Sequence, residues 1–241
     1  MSVVLPKADA ARFRVFEDLG TEFIAAYSDR SVTAEKRAEF VAALGLNPEK
    51  LFVVKQIHGE NIVRVSFETE STGSMMADGL MTDCPEAVIA ILTADCLPVF
   101  FCDPMKRAVG IAHSGWKGAL HGIAPKMVSA FQQNFGSRPE NIFVGFGPCI
   151  RQMSYEVGAE FESMFPGFYQ AGKTDGKGYF DLAGYVRKGL VEAGILTQHI
   201  QDTGWCTFKE QDHFYSYRRE NQTRERILSV ISIRGEKNES K

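Results

Sequence analysis

No long apolar run occurs in this sequence. Its most hydrophobic segments, such as AVIAIL at residues 87–92, are far too short to cross a bilayer, so no membrane partner is expected. The opening MSVVLPKADAARF has no long apolar core after basic residues, and no secretory signal is read there. Charge of one sign is not in excess either. Lys and Arg number 27 against 30 Asp and Glu, for a net charge of −3. The cations are scattered, which leaves no electrostatic footprint for nucleic acid or an anionic membrane surface. Cysteine is sparse and odd in number: Cys84, Cys96, Cys102, Cys149 and Cys206. That count argues against a disulfide framework and for a reducing, cytoplasmic setting. None of the five forms a CxxC pair, so a closed four-cysteine zinc site is not indicated.

What is present is the composition of a globular protein. Hydrophobic residues make up 44% of the chain and charged residues 24%, enough apolar side chain for a packed core. Repeats, low-complexity segments and long linkers are missing. The economical reading is a single domain over residues 1–241, with a motif-bearing core at 51–234 and a charged tail at 235–241 expected to fray.

Thr33 to Leu44 reads as a helix, with Phe40, Val41 and Leu44 on one face and Gly45 as a stop. LFVVKQI at 51–57 and NIVRVSF at 61–67 read as strands. Residues 87–92, 99–101 and 108–112 are continuous apolar runs, typical of strands buried on both faces. Leu120, Ile123, Met127, Val128 and Phe131 form a helical stripe over 119–135. Residues 141–146 and 227–233 are again strand-like, and 161–165 and 182–193 helical. The mixture predicts an α/β (α+β) domain with a central mixed β-sheet and helices packed on it.

Three residues stand out for chemistry: His58 in KQIHGEN, Cys96 in TADCLP and His113 in IAHSGWKG. Each falls at the expected C-terminal end of a buried strand, where sites on such sheets lie. Singly, each has a plain explanation as a core cysteine or a hydrogen-bonded histidine. Together they allow two chemistries. Two imidazoles and a thiolate can bind Zn²⁺ and leave a fourth position for water. Alternatively, Cys96 is a nucleophile and His113 its general base.

Lesser candidates surround them. Asp78 in MMADGLMTD is either a turn residue or a carboxylate that orients a histidine or shuttles a proton. Asp95 beside Cys96 reads as a structural acceptor. SGWKG before a helix has the small residues of an anion loop without Walker A spacing. Trp116 within it is a core residue or a stacking platform. Cys149 in FVGFGPCI is read as supporting structure. Arg218 and Arg219 in FYSYRRE can bind phosphate or sugar hydroxyls, or pair with Glu at the surface.

QIHG, ADG, TADCLPV, AHSGWKG, GPCI followed by YEVG, FDL, and WCTF followed by FYSYRRE occur in this order. Together they closely resemble the laccase-domain family, also described as polyphenol-oxidase-like or multicopper-oxidase-like and assigned as purine nucleoside phosphorylases. Some bacterial members are called peptidoglycan editing factors. The resemblance spans roughly Gln56 to Ile233. It implies a metal site, usually zinc, at His58, Cys96 and His113, and a single-domain layered sandwich similar to Cys/His deamidase toxins. The implied partners are a small-molecule nucleoside and phosphate. The implied activities are phosphorolysis of adenosine, inosine and methylthioadenosine, and deamination of adenosine. Catalytic roles fall on Cys96, His113 and Asp78, and substrate or phosphate contacts on Arg37, Trp116, Lys117 and Arg218. The resemblance keeps a Cys/His amidase or deamidase as an alternative. Copper-dependent phenol oxidation is also attributed to the family, but only His58, His113, His121, His199 and His213 exist here, few for a multicopper centre. A non-enzymatic binding module is the remaining alternative.

The sequence departs from the family in places. Lys117 stands where Arg is usual, which keeps charge but loses bidentate geometry. Glu225 precedes Arg226 where Gly is usual, and the family's N-terminal Asn-Leu-Gly turn is not evident.

Overall fold

The computed structural model describes residue 16 and residues 18–69 and 75–235. The N-terminal segment read for a signal, and residues 236–241 of the expected frayed tail, lie outside the described residues. The first strands are β1 (Phe23–Tyr27), β2 (Leu51–Val53), β3 (Ile62–Arg64), β4 (Gly79–Thr82), β5 (Val88–Thr93), β6 (Leu97–Asp103) and β7 (Ala108–Ser114). Then come β8 (Phe143–Phe146), β9 (Glu156–Gly158), β10 (Tyr169–Ala171), β11 (Lys177–Phe180), β12 (Ile200–Asp202) and β13 (Ile227–Ile233). The helices are α1 (Arg37–Ala43), α2 (Trp116–Leu120), α3 (Ile123–Phe135), α4 (Glu160–Met164) and α5 (Leu182–Glu192). No helix among the described residues is long and apolar enough to cross a membrane.

Strand alternation builds the layers. On β6, Val99 and Phe101 face the helices α3 and α5, while Phe100 and Cys102 face the other way, into a second sheet. On β5 and β13, Ile89, Ile91, Ile227 and Ile231 fill that inter-sheet core. Their alternates Val88, Ala90, Leu228 and Val230 pack against Phe40 and Val41 of α1. The result is four layers: α1, a sheet ordered β1-β13-β5-β2, a sheet ordered β12-β8-β6-β7-β4-β3, and α3 with α5. Both sheets mix parallel and antiparallel pairs. A small sheet, β10-β11-β9, adds Val157 and Phe180 to the helix-side core.

This is the layered α/β sandwich expected, with its strands divided between two mixed sheets instead of gathered in one. Burial on both faces explains why β6, β7 and β13 are buried at every position and read as unbroken apolar runs. Two expectations change. The helix over 119–135 breaks at Gly122, whose φ of +75° lies in the left-handed region, and α2 and α3 result. The strand over 51–57 ends at Val53, beyond which Lys55 keeps only an isolated bridge to Met76.

The topology gathers one rim. The β2–β3 and β5–β6 connections both cross from the four-stranded to the six-stranded sheet at the same end. His113 on β7 pairs with Pro98 at the start of β6, so it reaches that rim as well. His58, Cys96 and His113 therefore meet at the seam between the sheets.

Candidate metal centre

The ligand atoms of His58, Cys96 and His113 all lie within 4.8 Å of one another. The His58 and His113 rings meet edge-on, with centroids 4.8 Å apart at 77°. His113 is the penultimate residue of β7, before Ser114. Cys96 lies in the crossover between β5 and β6, behind Asp95, whose φ of +86° turns the chain. His58 is not at a strand end. It sits in the loop after β2 with a φ of +58°, a region uncommon for residues other than glycine.

Asp78 explains that strained loop. Its carboxylate, fully buried, accepts backbone N–H bonds from Ile57 (3.2 Å), His58 (2.9 Å) and Gly59 (2.7 Å). Successive N–H groups converging in this way form an anion nest. The same carboxylate lies 2.7 Å from His113 Nδ1, and the Asp78 carbonyl accepts from the His113 backbone N–H. One buried side chain thus orients both histidines and leaves the other nitrogen of His113 for a ligand. Burial alone would raise the Asp78 pKa. The bonds from His113, Gly59 and Ile57, with the His113 charge, outweigh it and hold the carboxyl below its ordinary range.

Burial likewise pushes the Cys96 thiol up, but the His113 charge and hydrogen bonds from His113 and His58 bring it down to about 6. Burial pushes the His113 imidazole down, and the Cys96 and Asp78 charges with their hydrogen bonds raise it to about 9. Two imidazole nitrogens and a sulfur with thiolate character are a donor set that zinc accepts, with a fourth position available. Among the described residues this is the one such group.

Gly115 is part of the same geometry. A Cβ there would stand 2.9 Å from Cys96 Sγ and 3.3 Å from His58 Cδ2. Gly115→Ala is therefore expected to weaken metal binding by ~10-fold or more, the equivalent of a modest overpacking cost. Metal titration of the variant checks this, and wild-type affinity would refute it.

His58, Cys96 and His113 open into a cavity of about 630 Å³, a volume typical of small-molecule sites. Trp116 and Arg218 are among the residues that line it. Trp116 packs on Phe161 with centroids 5.5 Å apart. Arg218 lies over the Tyr155 ring and donates to the Glu156 carbonyl at 2.7 Å.

The other candidates lie off the cavity wall or are engaged by protein groups. Asp78 does not border the cavity; its oxygens accept from the nest N–H groups and face His113 Nδ1, an arrangement suited to holding the histidines. Lys117 is exposed, its Nζ over the Trp116 ring at 5.4 Å, and does not border the cavity. Arg37 is half-buried behind the wall, not on it. Arg219 is occupied by the carbonyls of Thr207, Phe208 and Phe214 and by Glu220, a structural role. Asp95 accepts from Thr207 Oγ1 at 2.6 Å and from the Arg218 backbone N–H at 2.7 Å, the structural part expected of it. Cys149 is fully buried, with burial pushing its thiol up to about 12.

Gln56, Tyr155, Tyr217 and Arg226 also line the cavity, and no sequence pattern singles them out as site residues. Gln56 comes closest to a signal, two residues before His58. Its amide exchanges bonds of 2.7 and 2.8 Å with the Leu92 backbone, continuing the β2–β5 pairing with a side chain.

A family model described as multi-copper polyphenol oxidoreductase laccase matches residues 16–234. The chain belongs to that laccase family. Its laccase-type relatives include a Deinococcus radiodurans protein named purine nucleoside phosphorylase, 35% identical over 85% of this chain and 79% of the relative. The Escherichia coli purine nucleoside phosphorylase YfiH is 33% identical over 78% of this chain and 76% of its own length. Among solved structures, Bacillus licheniformis YfiH superposes with a TM-score of 0.84 at 26% identity, covering 88% of this chain and 93% of that one. YlmD from Geobacillus stearothermophilus shares the fold with a TM-score of 0.86 at 24% identity, over 96% and 99% of the two chains.

Proposed function

We propose that this laccase-family chain is a zinc-dependent purine nucleoside phosphorylase acting on adenosine, inosine and methylthioadenosine, with adenosine deaminase activity. The observation that carries the reading is the His58–Cys96–His113 group opening into a cavity walled by Trp116, Tyr155 and arginine. Relatives named purine nucleoside phosphorylase support it. Three donors in one cluster can hold a single ion, which favours zinc over the several coppers of the family's description. When bound, the ion supplies Lewis acidity that stabilises developing negative charge.

The chain's own residues would do the rest. Asp78 keeps both histidines in register. The faces of Trp116 and Tyr155 offer stacking area for a purine. Leu92, Ile150 and Leu182 line the cavity and limit water near the glycosidic bond. In phosphorolysis a phosphate oxygen bonds to C1′ as the C1′–N9 bond breaks, and a proton at N7 helps the base leave. Arg218 is placed to meet anionic or hydroxyl groups, and Arg37 adds its charge from behind the wall.

Nucleoside turnover with and without phosphate tests the reading. Inosine is expected to be consumed only with phosphate, giving hypoxanthine and ribose 1-phosphate. Adenosine is expected to give inosine without it. Metal analysis of the purified protein is expected to find about one zinc per chain, consistent with a single three-ligand site. Phosphate-independent loss of inosine, or no turnover in zinc-loaded protein, would sink the proposal.

One arrangement favours a second reading. Cys96, His113 and Asp78 stand in the order nucleophile, base and orienting carboxylate, the relation used by Cys/His amidases and deamidases. That reading predicts that metal-free protein cleaves an amide and that zinc inhibits it.

A further inference from the structure

In the sequence, Arg226 is marked only by following Glu225, where the family usually has Gly. The structure places it in the cavity wall just before β13, on the four-stranded-sheet side of the metal centre. Ile227, the next residue, pairs with Thr93 at the end of β5. Cavity-lining Val54 and Leu92 belong to this side as well. Trp116 and Leu182, by contrast, open α2 and α5 on the helix side. The cavity therefore has an aromatic helix-side wall and a sheet-side wall carrying Arg226, with the three ligands between them.

The Arg226 guanidinium is held in place. Nη1 donates to the carbonyls of Thr223 and Glu225, and Cζ lies 5.9 Å from the centre of the Tyr217 ring. Among the described residues, no protein acceptor engages its Nε or Nη2. A guanidinium fastened through one nitrogen keeps an edge for a bidentate anion.

Charge behind the wall is unbalanced in the same sense. Half-buried Arg37 interacts with both Glu225 and Arg226, and its buried Nε has no protein partner. At Arg37 a single carboxylate, Glu225, is set against a second guanidinium, that of Arg226. Such a surplus of partly desolvated positive charge is relieved by an incoming anion.

We infer that Arg226, backed by the charge of Arg37, is the phosphate subsite of this cavity and fixes the direction in which substrate lies. Phosphate occupies the sheet-side wall, the purine lies between Trp116 and Tyr155, and the ribose spans the seam. The inference rests on the phosphorylase reading for the identity of the anion, and on the arginine geometry for its place.

Inorganic phosphate binding is measured directly, by ³¹P line broadening or calorimetry, for zinc-loaded wild type, Arg226→Gln, Arg226→Lys and Arg37→Gln. The phosphate and inosine KM values are measured in parallel. Arg226→Gln is expected to weaken phosphate binding and raise the phosphate KM by ~10–100-fold, the range of a lost charge-assisted contact. The inosine KM should move less than about threefold, because a separate wall holds the base. Arg226→Lys should recover part of the loss, and Arg37→Gln should show a smaller effect of the same sign. Thermal denaturation verifies that each variant is folded. Wild-type phosphate binding and KM in a folded Arg226→Gln protein would overturn the inference. So would Arg226-dependent binding of adenosine 5′-monophosphate without inorganic phosphate binding, which would make the anion a nucleotide's own. If phosphate binding depends on Arg226 but inosine is not phosphorolysed, the subsite stands and the phosphorylase reading falls.

Discussion

Asp78→Asn should unfold far more easily than wild type and should bind metal poorly, although it removes no metal ligand. The substitution keeps shape and changes only what the oxygens can accept. In the native protein four N–H groups converge on this carboxylate, from Ile57, His58, Gly59 and the His113 ring. An amide nitrogen in place of either oxygen turns a donor toward donors in a fully buried position. Breaking a buried charged network by changing one partner costs ~3–5 kcal/mol. For a chain of this size that corresponds to roughly 6–20 °C in Tm. Metal affinity should fall a further ~10–100-fold, as when the partner of a ligating histidine is lost. The loop carrying His58 has positive φ at that residue, a conformation that persists only while its surroundings hold it. Thermal denaturation of metal-free protein reads the structural part, and zinc titration reads the second. A variant melting within a degree or two of wild type, with unchanged zinc affinity, would show that the nest is dispensable.

The same contacts explain what a reader of the sequence can and cannot see. Cys96 and His113 are legible because each ends an apolar run that becomes a doubly buried strand segment. His58 is legible through the His-Gly turn, though not its place in a loop. The role of Asp78 is not legible: its partners lie 19 to 21 and 35 residues away, and nothing local announces them. Arg226, Tyr217 and Tyr155 come from irregular segments with neither a period of two nor one of 3.6, so no pattern places them on a face. The division into two sheets was hidden for a related reason. Strands buried on both faces look alike whichever sheet they join, and only pairing shows that β5 and β6 part company.

Cys96→Ala should leave a folded protein with little metal and almost no nucleoside turnover. Cys96 lies in a crossover, partly accessible, and outside the three hydrophobic cores, so its loss costs little packing. Removing one of the three candidate ligands should weaken zinc binding by more than the ~10–100-fold of a supporting contact. Turnover should fall at least ~10³-fold, since an ion's Lewis acidity stabilises a transition state by several kcal/mol. Cys96→His separates the two roles that a cysteine can play here. A third imidazole completes another zinc donor set, so this variant should regain zinc and part of the turnover. As a nucleophile, histidine at this position would regain nothing. Alkylation supplies an independent check. Cys84, Cys102, Cys149 and Cys206 are buried, and Cys96 is the partly exposed cysteine. In metal-free protein, iodoacetamide should therefore label Cys96 first, and zinc should protect it by occupying the sulfur. Labelling that zinc does not slow, together with activity in stripped protein, would make Cys96 a nucleophile and His113 its base. The Asp78 nest would be needed in either case, because both chemistries require His113 to be held by its Nδ1.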